Sequence, residues 1–221
     1  MPAIGSTKEL TAHREALLAE RDPDRKIVSV CTGTGCKAYK CDSLAASLAT
    51  EVEKAGLGDK VEIVPTGCHG FCERGSLMVI YPDRIFYQKG SPDRAAEIVE
   101  KTLAKGEVIE DLLYEDPATG EKIVKEGDIP FYKHQQQELF GPGRKIRPTE
   151  IDDYIALGGY GALGKVLDGI EPDDVIEMVT RSGLRGRGGG GFPAGVKWRS
   201  CKDAGGDERY VICNADEGDP G

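Results

Sequence analysis

Two pairs of cysteines set among glycines constrain this chain more tightly than any other feature. Cys31 and Cys36 bracket "CTGTGC", directly after the β-branched run "KIVSV" at 26–30. Cys68 and Cys72 bracket "CHGFC", just after "KVEIV" at 60–64. Each run reads as a short buried strand, ended in the first case by glycines and in the second by Pro65. If the two strands are neighbours, both pairs leave the same edge of one sheet and four thiols converge. That demand selects an α/β layout in which loops at one end of a sheet share a site.

Convergent thiols hold a metal centre, form disulfides or fill a core. The seven cysteines are an odd number, and the first 26 residues lack the apolar stretch of a signal peptide. The chain is therefore read as cytoplasmic, where a disulfide framework is not expected. Core filling fits poorly with pairs placed in glycine turns. A redox dithiol would call for C-x-x-C, which the sequence lacks. A two-iron cluster is favoured, and structural zinc stays open, with C-x4-C at the long end of its knuckle spacings. Gly33, Gly35, Gly67 and Gly70 permit tight turns whose amides donate to sulfur, and such donors stabilise a more negative cluster. Cys41 falls outside both pairs and reads as a packed or partly exposed bystander. His69 lies inside the second pair. A Rieske-type ligand needs a second histidine and fewer cysteines, so His69 reads as a support beside the ligands or as an exposed residue.

Periodicity supplies the elements around the pairs. Residues 7–20 suit an amphipathic helix. With Asp42 or Ser43 as N-cap, Leu44, Leu48, Val52 and Ala55 repeat at helical spacing up to Gly56. "SLMVIY" and "RIFYQK" flank Pro82-Asp83 as a hairpin. "SPDRAAEIVEKTLAKG" opens with a serine N-cap and a first-turn proline and ends at Gly106. The result is a domain over residues 1–105 compatible with a thioredoxin-like layout. Residues 106–146 read as a connector: a turn at "EDPATGE", an aromatic, glutamine-rich "IPFYKHQQQELF" suited to packing on a partner surface, and "FGPGRKIRP" as a docking strap. Residues 147–221 open with helices at "TEIDDYIALGG", "YGALGKVL" and "PDDVIEMVTRSG". They close on "RYVICNADEGDPG", a strand and acidic turn without a stop signal, so this domain reads as cut off in its middle.

The net charge of −9 argues against a nucleic-acid surface and against adhesion to anionic membranes. No apolar run approaches the roughly 18 residues of a membrane span. The basic loop "SGLRGRGGGGFPAGVKW" at 182–198 is the local exception. Gly186, Gly188 and Gly191 spell G-x-G-x-x-G, but a helix rather than a strand precedes them, unlike a Rossmann fingerprint. No Gly-Lys-Ser/Thr follows, as a Walker A loop would require. What remains is a set of amide donors with Arg185, Arg187 and Lys197 beside them, suited to a phosphate. Phe192 and Trp198 offer flat surfaces to a ring. Asn214, Asp216, Glu217 and Asp219 can bind ribose hydroxyls, ring nitrogens or a nicotinamide amide. The plain alternatives are a flexible, solvated glycine loop and an ordinary acidic turn.

"CTGTGC" with "GCHGFC" resembles the thioredoxin-like [2Fe–2S] ferredoxin domain of NADH dehydrogenase modules. "GLRGRGGGGFPAGVKW" with "CNADEGDPG" closely resembles the FMN- and NADH-binding flavoprotein subunit of complex I-type dehydrogenases. That group includes the flavoprotein subunits of NAD-linked or electron-bifurcating hydrogenases and of NAD-dependent formate dehydrogenases. The resemblance spans most of residues 26–221, and a ferredoxin-like domain fused ahead of the flavin domain is nearer the hydrogenase and formate dehydrogenase members. It implies cluster ligation by Cys31, Cys36, Cys68 and Cys72. It implies FMN contacts at Gly186, Arg187, Gly188, Gly189, Lys197, Asn214, Asp216 and Glu217, and NAD(H) contacts at Phe192 and Asp219. Three positions depart from the family pattern: Ser200 stands for an aromatic, Asp219 for a glutamate and Gly190 for an alanine. Cys201 and Cys213 belong to no motif and are expected to be buried.

The implied fold is an α/β thioredoxin-like [2Fe–2S] domain followed by the incomplete N-terminal part of an α/β FMN/NADH-binding domain. The implied function is electron transfer between NAD(H), FMN and iron–sulfur clusters, with other iron–sulfur subunits as partners. Any [4Fe–4S] cluster is expected in further sequence or in those partners. The redox chemistry belongs to the cofactors, and no side chain is required as a general acid or base. The chain alone is expected to carry the [2Fe–2S] cluster and to bind FMN weakly. The alternative from another class is a non-catalytic [2Fe–2S] carrier or docking subunit without its own flavin.

Overall fold

Helix α1 (Thr7–Ala19) precedes β1 (Lys26–Cys31), the strand on which the larger unit of the chain is built. The computed structural model describes residues 3–137, 140–187 and 189–212. The chain divides into two compact units: Thr11–Gly159, and Met1–Leu10 with Tyr160–Gly221.

In the larger unit β1 is followed by α2 (Thr34–Lys37), α3 (Cys41–Lys54), β2 (Val61–Thr66), β3 (Met78–Tyr81) and β4 (Ile85–Tyr87). The sheet order is β2-β1-β3-β4. β1 runs parallel to β2, in register from Lys26↔Val61 to Cys31↔Thr66, and antiparallel to β3. A parallel pair requires a crossover, and α3 supplies it. This is the strand arrangement of a thioredoxin-like layout.

The pleat sorts the side chains into two cores. Val28, Val30, Met78, Ile80 and Tyr87 face Leu44, Leu48 and Val52 of α3, together with Ile98, Val99 and Leu103. Cys31, Val79 and Phe86 face the other way, against Phe71, Tyr114, Ile129 and Tyr132. Leu44 and Leu48 are fully buried, and burying each contributes about 1.5–3 kcal/mol.

Several boundaries differ from those expected. Pro65 lies inside β2 instead of stopping it. β2 is an edge strand, where a missing N–H can face outward without breaking the ladder. Cys36 sits in α2, where its amide and that of Lys37 both donate to the Gly33 carbonyl (2.9 and 3.1 Å). Helix α3 starts at Cys41, preceded by Lys40 in the left-handed region (φ 60°), not after Asp42 or Ser43. The helix after Ser91 is present but changes winding: α4 (Ala95–Glu97) continues as π-helical turns over Ile98–Ala104. Helix α1 buries no residue. Polar ties hold its second half instead, with His13 Nε2 2.8 Å from Asp152 Oδ1 and Arg14 Nε donating to the Ala156 carbonyl.

The connector contains the expected hairpin, β5 (Tyr114–Glu115) with β6 (Lys122–Ile123). It is sewn to the free edge of β4, where Phe86 N–H donates to the Val124 carbonyl (2.9 Å) and Gln88 N–H to that of Leu112 (2.8 Å). Its aromatic stretch packs inward on the second core through Ile129 and through Tyr132 of α5 (Pro130–Lys133). The strap continues through α6 (Phe140–Gly143) to α7 (Ile151–Ala156).

The smaller unit contains α8 (Gly161–Leu167), α9 (Pro172–Arg181) and α10 (Ala194–Asp203). Helix α10 was not anticipated from the sequence. It packs against α9 so closely that a Cβ on Gly195 would lie 2.8 Å from Cα of Thr180. Arg199 and Lys202 of α10 pair with Asp173 at the start of α9. Tyr210, Val211 and Ile212, expected to form a strand, are exposed and find no ladder partner among the described residues.

Candidate functional site

The parallel pairing of β1 with β2 ends at Cys31↔Thr66, so the loops carrying both cysteine pairs leave one edge of the sheet together. Four thiols meet there. Cys31 shares hydrogen bonds with Cys36 and Cys68, and Cys68 shares one with Cys72. Cys72 in turn lies within electrostatic reach of Cys36, closing the ring. Their shared hydrogen bond is the first cause that holds the Cys31 thiol above its ordinary pKa and the Cys36 thiol below it. Cys68 is pushed up, first by its bond to Cys31 and then by burial.

Backbone donors surround the sulfurs. His69 N–H lies 3.4 Å from Cys31 Sγ, Gly70 N–H lies 3.2 Å from Cys68 Sγ, and the Leu77 amide donates to Cys36. The glycines make room: a Cβ on Gly35 would lie 2.8 Å from Cys72 Sγ, and one on Gly33 3.1 Å from Cys68 Cβ. Cys31 and Cys36 are buried, Cys68 is half-buried and Cys72 is exposed, so the ring runs from the core to the surface. No three His, Cys, Asp or Glu side chains among the described residues are grouped so as to hold a single metal ion. Cys41 is fully buried at the start of α3.

Behind the ring lies a polar network that sequence reasoning missed. Ser29 Oγ donates to the Arg144 carbonyl (2.8 Å) and lies 3.1 Å from His69 Nε2. Thr66 Oγ1 is 3.0 Å from both Ser29 Oγ and His69 Nε2. His69 is 1% exposed, which settles the choice left open for it in favour of support beside the cysteines. Burial first, and the Arg144 charge second, push its imidazole down to about 3, so it is neutral. Tyr132 Oη donates to the His69 carbonyl (3.1 Å). One signal was available: Ser29 is the only polar residue in the strand core "IVSV", and a buried hydroxyl requires partners.

The glycine loop is closed at its base. Gly186 N–H donates to the Phe192 carbonyl and Ala194 N–H to that of Leu184, both at 2.8 Å, around an Arg185↔Pro193 bridge. Lys197, one turn into α10, brings Nζ back under the loop, 2.5 Å from where a Gly186 Cβ would stand. Gly186 and Lys197 are thus brought together. Arg185 turns inward to the Gly191 carbonyl (3.2 Å). Arg187, Gly189 and Phe192 lie exposed on the same loop. Gly188, Asn214, Asp216, Glu217 and Asp219 lie outside the described residues, as does Cys213. Cys201 is half-buried.

Residues 179–221 match the Nuo51 FMN-binding domain. The resemblance to FMN/NADH-binding flavoprotein subunits read from the motifs is borne out. The NADP-reducing hydrogenase subunit HndC of Solidesulfovibrio fructosivorans is 57% identical over 75 residues, 34% of this chain and 15% of that protein. The NAD-reducing hydrogenase HoxS subunit alpha of Cupriavidus necator is 30% identical over 166 residues, 71% of this chain and 23% of that protein. The chain thus spans under a quarter of the length of these relatives. Among solved structures, the thioredoxin-like [2Fe–2S] ferredoxin from Aquifex aeolicus shares 28% identity. That match covers 42% of this chain and 99% of the ferredoxin, with a TM-score of 0.40. Among the described residues no helix is long and apolar enough to cross a membrane.

Proposed function

We propose that this chain is part of a cytoplasmic NADH dehydrogenase module in a multisubunit hydrogenase, formate dehydrogenase or NADH:quinone oxidoreductase. In this reading it passes electrons between NAD(H), FMN and iron–sulfur clusters, with other iron–sulfur subunits as partners. The observation that carries it is the ring of four thiols in a chain whose residues 179–221 match an FMN-binding domain.

The thiol site fits a [2Fe–2S] cluster. Cys31, Cys36, Cys68 and Cys72 would hold it, and the amides of His69, Gly70 and Leu77 would donate to their sulfurs. Such donors favour the reduced, more negative state. The C-x4-C spacing lies at the long end of zinc knuckles, which favours a two-iron centre over one tetrahedral zinc. Exposed Cys72 leaves one side of the site accessible to a redox partner.

The glycine loop fits the phosphate of FMN. With Gly186 closing the base of the loop, the amides of Gly188 and Gly189, with Arg187 and Lys197, would hold it. Asn214, Asp216 and Glu217 would bind the remainder of FMN, while Phe192 and Asp219 would meet NAD(H). Hydride acceptance from NADH and the return of single electrons are what FMN supplies when bound. The chain's own residues hold the rings in contact and keep the phosphate charge compensated.

The test is iron, sulfide and flavin analysis of the purified protein with a visible spectrum, followed by NADH addition to the assembled enzyme. Iron and sulfide in equal amounts and flavin bleaching by NADH are expected. A colourless zinc protein would overturn the cluster. Cluster colour with no flavin in the assembled enzyme would favour a carrier or docking subunit instead.

A further inference from the structure

The connector strap reaches the back of the thiol ring through backbone and side chain at once. The Gly143 carbonyl accepts from Gly67 N–H (2.9 Å), the residue before Cys68. The next carbonyl, of Arg144, accepts from Ser29 Oγ, which also contacts His69. The Arg144 guanidinium lies 4.7 Å from the centre of the Tyr132 ring, and Tyr132 in turn bonds the His69 carbonyl. Arg144 is 7% exposed and Glu126, with which it forms an ion pair, is 1% exposed. Arg84, on the β3–β4 turn, pairs with the other Glu126 oxygen at 3.0 Å. Two cations against one anion leave this triad with a net positive charge, and the Arg144 charge is felt at both Cys31 and Cys68. None of the motifs in the sequence pointed to Arg144, Glu126 or Arg84.

We propose that Arg144 is a positioning residue for the cluster. Its carbonyl pins the Cys68–His69 loop, and its guanidinium raises the cluster's reduction potential by stabilising the reduced state. The inference rests on the [2Fe–2S] reading above. One-electron reduction adds a negative charge at the thiol ring, and a buried cation behind the ring lowers the cost of that charge. Removing Arg144 does more than delete one cation. It leaves the Glu126 carboxylate balanced only by the half-exposed Arg84, so the field at the ring swings negative. Removing the charge of Glu126 does the reverse.

The experiment is an EPR-monitored redox titration of the full chain, with visible spectra and iron content recorded for every variant. Arg144→Gln is expected to move the midpoint to more negative potential. A roughly tenfold change in the one-electron equilibrium constant corresponds to about 59 mV. Glu126→Gln is expected to move it positive, and Arg144→Lys to stay nearer the wild type than Arg144→Gln does. Arg84→Gln, at the surface end of the triad, should move it negative by less. Opposite shifts of this kind are not produced by a merely structural role, which would lower iron content in all variants alike. A Glu126→Gln shift of the same sign as the arginine variants, or no shift in iron-replete Glu126→Gln and Arg84→Gln, would overturn the inference while leaving the cluster reading intact. Should Arg144→Gln fail to fold, those two variants still decide the question. An iron-free wild-type chain would remove the cluster reading and this inference with it.

Discussion

The thiol ring and the glycine loop are both turns at the end of a regular element, yet they hold their side chains in opposite ways. The ring is fixed from behind: two strands in parallel register, two buried thiols, a hydroxyl–imidazole network and a strap stitched to β1 and β2. Among the described residues the loop is fixed at its base by two backbone bonds and by Arg185 on the Gly191 carbonyl, with Lys197 folded back beneath it. Arg187, Gly189 and Phe192 are exposed. A soft-metal centre needs its ligands placed before metal arrives, because thiolate positions determine which metal fits. A phosphate needs only converging N–H groups and cations, which an exposed loop can offer. The contrast suggests that the ring tolerates little change in its lining and the loop rather more.

Cysteine substitution gives the largest expected effect. Cys31→Ser, Cys36→Ser, Cys68→Ser or Cys72→Ser should abolish the cluster's visible absorption, while Cys41→Ser, at a site as buried as Cys31 and Cys36, should keep it. If the absorption survived Cys36→Ser but vanished with Cys41→Ser, the ring would have been drawn with the wrong members. Gly35→Ala probes the same rigidity without removing a ligand. Its Cβ would sit 2.8 Å from Cys72 Sγ, so either Cys72 or the start of α2 must shift. Iron content should fall several-fold while the circular dichroism stays native. Full iron occupancy would show that the ring is less tightly lined than described.

How much of this was legible differs between the two regions. The strands and the shared sheet edge followed from β-branched runs placed just before cysteine pairs, because period and position determine where a strand end points. The thioredoxin-like order followed from that. Pro65 misled, since a proline reads as a breaker until the strand is known to lie at an edge. Ser29, Thr66 and Arg144 were not found because their partners are distant in sequence: Ser29 and Arg144 lie 115 positions apart. No local pattern marks such a pair. In the loop, Lys197 was named for a phosphate from its charge beside the glycines, and Gly186 and Lys197 for FMN by resemblance, but helix α10, which aims Lys197, was hidden. Its sequence "AGVKWRSCKD" opens after Pro193 with small and β-branched residues and carries a weak apolar stripe.

Loop variants should show smaller and more local effects. Lys197→Ala is expected to weaken FMN retention in the assembled enzyme by roughly ten- to hundredfold, matching the loss of a charge-assisted bond of about 1.5–3 kcal/mol. Flavin released on gel filtration measures it, and the cluster spectrum should not change. Gly189→Ala should cost about 1 kcal/mol, because Gly189 has φ +76° and nothing within 4 Å of an added Cβ. Its effect is backbone strain alone, in contrast to the steric effect at Gly35. A Gly189→Ala protein that lost its cluster would contradict the independence of the two regions.

The smallest effect tests whether the strap behind the ring is held electrostatically. Arg147 ends the strap. Its guanidinium bonds both carboxylate oxygens of Asp153 (2.8 and 2.9 Å), its amide bonds Asp153 Oδ2 (3.0 Å), and it reaches Glu62 of β2 at 3.4 Å. Burial by itself would raise the Asp153 carboxyl, but the bonds from the Arg147 side chain and amide outweigh it, and the group sits below its ordinary value. A depressed carboxyl contributes stability that is fully present above the unfolded pKa of about 3.9 and is lost as pH falls through the lower folded value. With Arg147 half-exposed and screened, that contribution is about 1 kcal/mol. Thermal melts should show wild type and Asp153→Asn separated by a constant gap from pH 7 down to about pH 5. The gap should begin to narrow as pH falls below about 3.9, because the wild type then loses what the variant never had. A gap unchanged at pH 3 would mean that the strap is held by packing and backbone bonds alone. In that case the fixed backing of the ring would owe nothing to the Arg147–Asp153 pair.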